Sequence, residues 1–189
     1  VETWPNFNES QSAFDYVLYG KYEPSLRSGL ILKLMQNLVR NRLISFLREE
    51  KSLVYSPYIS LFYNAVPDNA FYFDVNASVD KKNTAQVHQF LNEIITDLQA
   101  NKVAKKELQT LKQIFIVNKR NYLQNDATSG WKSYLVGQLK NDESLADLEN
   151  YEKVLAEITP EDIRQAFRDL VNLDNQIILS IGEFTPCEN

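Results

Sequence analysis

The sequence predicts an α+β fold: a single antiparallel or mixed β-sheet with helices packed on one face. Three observations carry this. Two strand-like runs sit side by side near the middle of the chain as a hairpin, and the helical stretches are grouped in the second half instead of alternating with strands. A third is the pair of strand-like runs at the two ends, "SAFDYVLY" and "NQIILSIGEF".

Taken in order, residues 12–19 are aromatic and β-branched and stop at Gly20, which predicts a strand. From Ser25 to about Lys51, Leu30, Leu34 and Leu38, with Ile31 and Met35, recur at helical spacing, and Leu43 and Leu47 continue the pattern. "YSPYISLFYNA" and "FYFDVNASVD", separated by "VPDN", form the hairpin. In the second run Phe71, Phe73, Val75, Ala77 and Val79 alternate with Tyr72, Asp74, Asn76, Ser78 and Asp80, as in a half-buried strand.

Residues 83–125 read as helical with a break near "ANKV". Val87, Leu91, Ile94 and Leu98 form one stripe, and Leu108, Leu111, Phe115 and Tyr122 a second. "DATSG" reads as a loop before a short helix in "WKSYLVGQL", and "SLADLENYEKVLAEI" as another helix. "TPED" is a helix start, with Thr159 as N-cap and Pro160 at the first position; Ile163, Ala166, Phe167 and Leu170 form the buried face of that helix.

The 189 residues are enough for one domain, and 5 Gly with 6 Pro leave little room for a flexible linker. The whole of 1–189 is therefore expected to be one domain, with 1–11 and 185–189 as tails. A net charge of −5 argues against a nucleic-acid surface. No stretch approaches a membrane span. "VETWPNFNES" lacks the charged and apolar regions of a secretory signal. The abrupt ends, valine at the start and "PCEN" at the close, suggest a fragment of a longer polypeptide, so missing signals carry little weight.

A catalytic zinc takes three protein ligands, often two histidines on one helix face with a carboxylate. This chain has a single histidine, His88, beside the apolar stripe of its helix, so neither H-E-x-x-H nor H-x-x-E-H can be written. The lone Cys187 makes no internal disulfide or thiolate cluster. No G-x-S-x-G and no glycine-rich phosphate loop occurs. Carboxylates such as Glu49, Glu50, Glu161 and Asp162 read as helix-end and surface charges. A glycosidase-type pair among them stays open, although nothing favours one, and this chain alone is expected to have no catalytic residues and no metal ligands.

"LREEKSLVYSPY" brings Arg48, in the last turns of the long helix, near Tyr55, at the start of the next strand. Residue type alone gives them ordinary duties: a cation complements the helix dipole, and tyrosine favours a strand.

The longer stretch "NRLISFLREEKSLVYSPY" resembles a signature in the C-terminal half of insulinase/pitrilysin-family zinc metallopeptidases. Arg42-Leu43, Leu47-Arg48-Glu49 and Leu53-Val54-Tyr55-Ser56 stand in its places, with Ser52 where the family often has glycine. The resemblance runs from about Ser12 to Phe184 and is nearest to the long bacterial zinc proteases, which implies a periplasmic or cell-envelope setting. It implies a metal-free domain that closes over a peptide bound at a separate zinc-bearing domain of the same polypeptide or of a partner subunit. Arg48 and Tyr55 would then contact the substrate or its transition state. The alternative is a non-catalytic scaffold or interaction copy of the same fold. An extended peptide could also add to the Phe71–Val79 strand, or to whichever strand lies at the sheet edge.

Overall fold

The computed structural model describes residues 11–49, 54–64, 68–125, 127–140, 144 and 146–181. The element order is β1 (Gln11–Lys21), α1 (Leu26–Glu49), β2 (Val54–Asn64), β3 (Ala70–Asp80), α2 (Thr84–Ala100) and α3 (Lys105–Asn125). Then come α4 (Ala127–Lys140), α5 (Asp147–Glu157), α6 (Pro160–Leu170) and β4 (Gln176–Ile181). β1 begins at Gln11, the last position assigned to the N-terminal tail; residues 1–10 and 182–189 lie outside the described residues.

The strands form one sheet in the order β2-β3-β1-β4, and every pairing is antiparallel. β3 lies between β2 and β1, with Tyr63 opposite Phe71 on one side and Tyr16 opposite Val75 on the other. Both of its hydrogen-bonding edges are therefore occupied. This corrects the expectation that a peptide could add to the Phe71–Val79 strand: among the described residues, the sheet edges are β2 and β4.

Alternation along the strands sends Phe14, Tyr16 and Leu18 of β1, and Phe71, Phe73, Val75, Ala77 and Val79 of β3, into one core. The helices cover that face. α1 is the central helix, in contact with β2, α2, α5 and α6. That position explains why Leu32 and Val39 are buried along with Leu30, Leu34, Met35 and Leu38. A helix surrounded by neighbours buries a broad arc, not one stripe.

α2 buries the expected stripe and adds Ile95. In α3 Leu108 and Leu111 are buried, whereas Tyr122 is 46% exposed. "DATSG" also departs from expectation, since Ala127 to Gly130 belong to α4. Gly130 serves there as a close-contact residue: a Cβ at that position would lie 2.6 Å from the Tyr122 carbonyl oxygen of α3.

At the start of α6, the Thr159 hydroxyl accepts from the Asp162 backbone N–H at 3.2 Å, and the Thr159 N–H donates to the Asp162 carboxylate at 2.7 Å. Arg27 of α1 pairs with the same carboxylate at 2.9 Å and ties the two helices together. No helix among the described residues is long and apolar enough to cross a membrane.

Among the described residues, no helix or strand covers the second face of the sheet. Tyr58 is 68% exposed and Ile177 58%. Phe62 of β2 stacks on Tyr72 of β3 on this face, with ring centroids 4.9 Å apart.

Candidate functional site

The signature segment occupies the second half of α1, the start of β2 and the connection between them. Its first part has structural duties. Leu43 is buried in the core, and Arg42 makes an ion pair with Asp97 of α2. Asn101 donates to the other oxygen of Asp97 at 2.7 Å. The Asn101 hydrogen bond, then that of Arg42, holds the Asp97 carboxyl below the usual carboxylate range, although partial burial opposes this. Arg42 thus clamps α1 to α2.

Beside this clamp lies an open groove of about 520 Å³ between α1 and α2. Its floor is Phe46 stacked on Phe90, centroids 3.4 Å apart, with Ile94 next to them. Phe46 stands two residues before Arg48 in α1.

The backbone of Arg48 falls in the last turn of α1, and that of Tyr55 pairs with Ser78 of β3. Their side chains lie outside the described residues, as do residues 50–53 between them. α1 packs on β2, and Gln36 donates to the Ile59 carbonyl at 2.8 Å. Just after Tyr55 the β2 ladder shifts: Tyr55 opposes Ser78, yet Tyr58 opposes Asn76, so β2 accommodates one extra residue. The shift brackets Pro57, which has no N–H for the ladder and is tolerated at such an irregularity on an edge strand.

His88 is not only a flank residue. Its Nε2 lies 3.2 Å from Gln176 Oε1 of β4 and 3.2 Å from Asn92 Nδ2. Asn92 Oδ1 in turn accepts from the Tyr16 hydroxyl of β1 at 2.8 Å, and burial pushes that phenol well above its ordinary range. This chain of polar contacts joins α2 to β1 and β4. Among the described residues, no three His, Cys, Asp or Glu side chains converge as metal ligands, so these residues do not fit a zinc site.

Sequence reasoning missed two arrangements. Lys119 of α3 sits over the Tyr134 ring of α4, 3.7 Å from its centroid, and 5.2 Å from that of Tyr151 of α5. Burial first, and Tyr63 second, push the Tyr151 phenol up to about 12. The second is the helix-free sheet face, where Asp15, Asp74 and Asn76 are bordered by aromatic side chains. The alternation in β3 identified one polar strip of it, but not which strands stand alongside.

The family description "Peptidase M16 inactive domain" matches residues 6–115, more than half of the chain and including the whole signature segment. No curated protein matches the sequence. Among solved structures, the periplasmic protease PqqL from Escherichia coli superposes with a TM-score of 0.82 at 16% identity, covering 96% of this chain and 20% of that one. The ferredoxin protease FusC, solved as a point mutant in complex with Arabidopsis ferredoxin, gives 0.76 at 16% identity, covering 99% and 20%. A peptidase M16 inactive domain from Pseudomonas fluorescens gives 0.72 at 20% identity, covering 99% and 44%. The chain thus spans about a fifth of the length of the two proteases. Its sheet and helices follow the fold of these structures, and by the match over residues 6–115 the chain belongs to the peptidase M16 inactive-domain family.

Proposed function

We propose that this chain is the metal-free half of a zinc endopeptidase: it closes over a peptide held at a separate zinc-bearing domain and contributes Arg48 and Tyr55 to that peptide. The observation that carries the reading is the family match, which spans both residues. The backbone is compatible with it, because the end of α1 and the start of β2 are only a few residues apart and belong to packed elements.

The chemistry is coherent. Peptide hydrolysis passes through a tetrahedral oxyanion, and a phenol or guanidinium placed at that oxygen acts most strongly when the charge develops. A guanidinium gripping a neighbouring substrate carbonyl would instead hold the scissile bond in line for attack. A zinc-bearing domain would supply the activated water, and this chain the binding and orientation.

The test is peptide cleavage by the assembled peptidase with wild type, Arg48→Ala and Tyr55→Phe. Loss of one oxyanion donor lowers kcat by about 10²-fold or more, whereas loss of a positioning contact acts mainly on KM. If both variants cleave at the wild-type rate while circular dichroism shows them folded, the reading is wrong, and the scaffold alternative stands in its place.

A further inference from the structure

The helical layer holds a small cavity that no residue of the signature segment lines. It lies where the first turns of α1, the end of β2 and the helices α3, α4 and α5 meet, and its volume is about 40 Å³. Lys33 of α1 and Lys119 of α3 line it, with Tyr63 of β2, Tyr134 of α4 and Tyr151 of α5. Among the described residues, no carboxylate lines it.

Hydrogen-bonding capacity in this cavity is one-sided. Lys33 Nζ lies 5.6 Å from the Tyr63 ring centroid and makes no ion pair among the described residues. Lys119 Nζ lies over the faces of Tyr134 and Tyr151, and a ring face attracts an ammonium without offering it an oxygen acceptor. The hydroxyls of Tyr63 and Tyr151 find no hydrogen-bond partner among the described residues. Burial keeps the Tyr151 phenol protonated at neutral pH, so it stands as a donor. The neutral polar neighbours are committed elsewhere. Ser25 Oγ accepts from the Ser28 N–H at 3.1 Å, and Gln138 Nε2 donates to the Ser144 carbonyl at 2.9 Å. Cations and phenol donors thus share one cavity, and sheltered donors of this kind are costly to leave unmatched.

We propose that this cavity binds a carboxylate: Lys33 and Lys119 supply the charge, and the hydroxyls of Tyr63 and Tyr151 the hydrogen bonds. Size selects this anion. One water needs roughly 10–15 Å³ of such volume, so the cavity takes about three non-hydrogen atoms. That matches the O–C–O of a carboxylate and is too small for a tetrahedral phosphate. A free small acid and an acidic peptide side chain present the same group. The site is separate from the proposed peptide contact, because Lys33 precedes Arg48 by about 22 Å along α1 at ~1.5 Å per residue.

The experiment is thermal unfolding of the 189-residue chain at pH 7 in chloride, acetate or phosphate of matched ionic strength. A further arm uses the α-amide of N-acetylglutamate, whose single carboxylate is that of a side chain. Acetate should raise Tm over chloride by about 2 °C or more, saturating with concentration. Lys33→Gln, and Tyr63→Phe with Tyr151→Phe, should each weaken acetate by about tenfold. Phosphate stabilises folded chains through exclusion from their surface, so its increment should be the same in wild type and variants. Gly29→Ala guards against misfolding. A Cβ there would lie 3.7 Å from the Tyr63 hydroxyl, in ordinary contact, so the methyl narrows the cavity without a clash. That variant should keep or raise Tm in chloride and lose the acetate increment. Acetate binding alone supports a free small acid as ligand, and binding of both carboxylates supports a peptide side chain as well. No acetate increment in wild type, or one that survives undiminished in Lys33→Gln, in the double Phe variant or in Gly29→Ala, would overturn the proposal. So would a phosphate increment that falls together with the acetate one, since the cavity would then not select by size. Cleavage by Arg48→Ala and Tyr55→Phe is read separately, so either reading can fail while the other stands.

Discussion

Gly20 of β1 lies against the backbone carbonyl of Leu170 at the end of α6, so close that a Cβ on Gly20 would sit 2.6 Å from that oxygen and 2.8 Å from the Phe71 ring. The glycine that closes the β1 pattern in the sequence therefore sets the distance between the last helix and the sheet. Neither backbone nor a core ring can yield cheaply.

Gly20→Ala is accordingly expected to destabilise the chain by about 1–3 kcal/mol, as overpacking does. Gly137 is the control: it lies inside α4, and a Cβ there would meet nothing within 4 Å. Gly137→Ala should stabilise by about 0.5–1 kcal/mol through helix propensity. Thermal unfolding of the two variants should move Tm in opposite directions, by about 2–4 °C per kcal/mol. A shared sign would contradict the packing described at Gly20.

Thr159→Ala removes the hydroxyl that caps α6 and should cost about 1 kcal/mol. Thr159→Ser keeps the acceptor and should recover most of the loss. Urea unfolding would show it as a lower midpoint at unchanged slope. Equal midpoints for the Ala and Ser variants would mean that the cap contributes nothing.

The clamp between Arg42 and Asp97 predicts a pH dependence. The folded-state pKa of Asp97 is depressed, so its contribution is present above the unfolded value of about 3.9 and is lost as pH falls through the folded value. Asp162 acts in the same direction: burial raises its carboxyl, but hydrogen bonds from Thr159 and Arg27 outweigh this. Stability should fall with acid below about pH 4. Arg42→Met should lower stability at pH 7 by under ~1 kcal/mol, because both side chains are partly exposed. That difference should persist at neutral pH and shrink only as pH falls through the depressed folded value of Asp97, where its carboxyl takes up a proton. A pH-independent difference would assign the effect to packing of the arginine stem.

Asp74 has the opposite sign. Its carboxyl is raised in the folded state, so its ionisation removes stability as pH climbs from the unfolded value through the folded one. Asp74→Asn should therefore raise Tm at pH 7, with the gain shrinking toward pH 3. A lower Tm at pH 7 would mean that this carboxylate holds the sheet together instead of crowding it.

Much of the architecture was legible because short-range patterns carry it. The alternation from Phe71 to Val79 assigned the buried side of β3 residue by residue, and "TPED" marked the start of α6. Where neighbours intervened, pattern reading fell short. Gly130 read as a loop marker because glycine serves two purposes, chain reversal and close approach, and only the position of Tyr122 distinguishes them. Arg42 and Arg48 are equivalent as letters in the signature, but Asp97 on another helix commits the first to structure.

The chain's own residues determined the strands and most of the helices, the apolar side of β3, the family signature and the presence of a single histidine, because each of these depends on residue type and local spacing. Tertiary structure alone decided that β3 is an inner strand, that α1 is enclosed and that Asp15 meets Asp74 across the helix-free face of the sheet. Those outcomes turn on which distant segments pair. That choice is made by burying one shared core, and no window of sequence contains it.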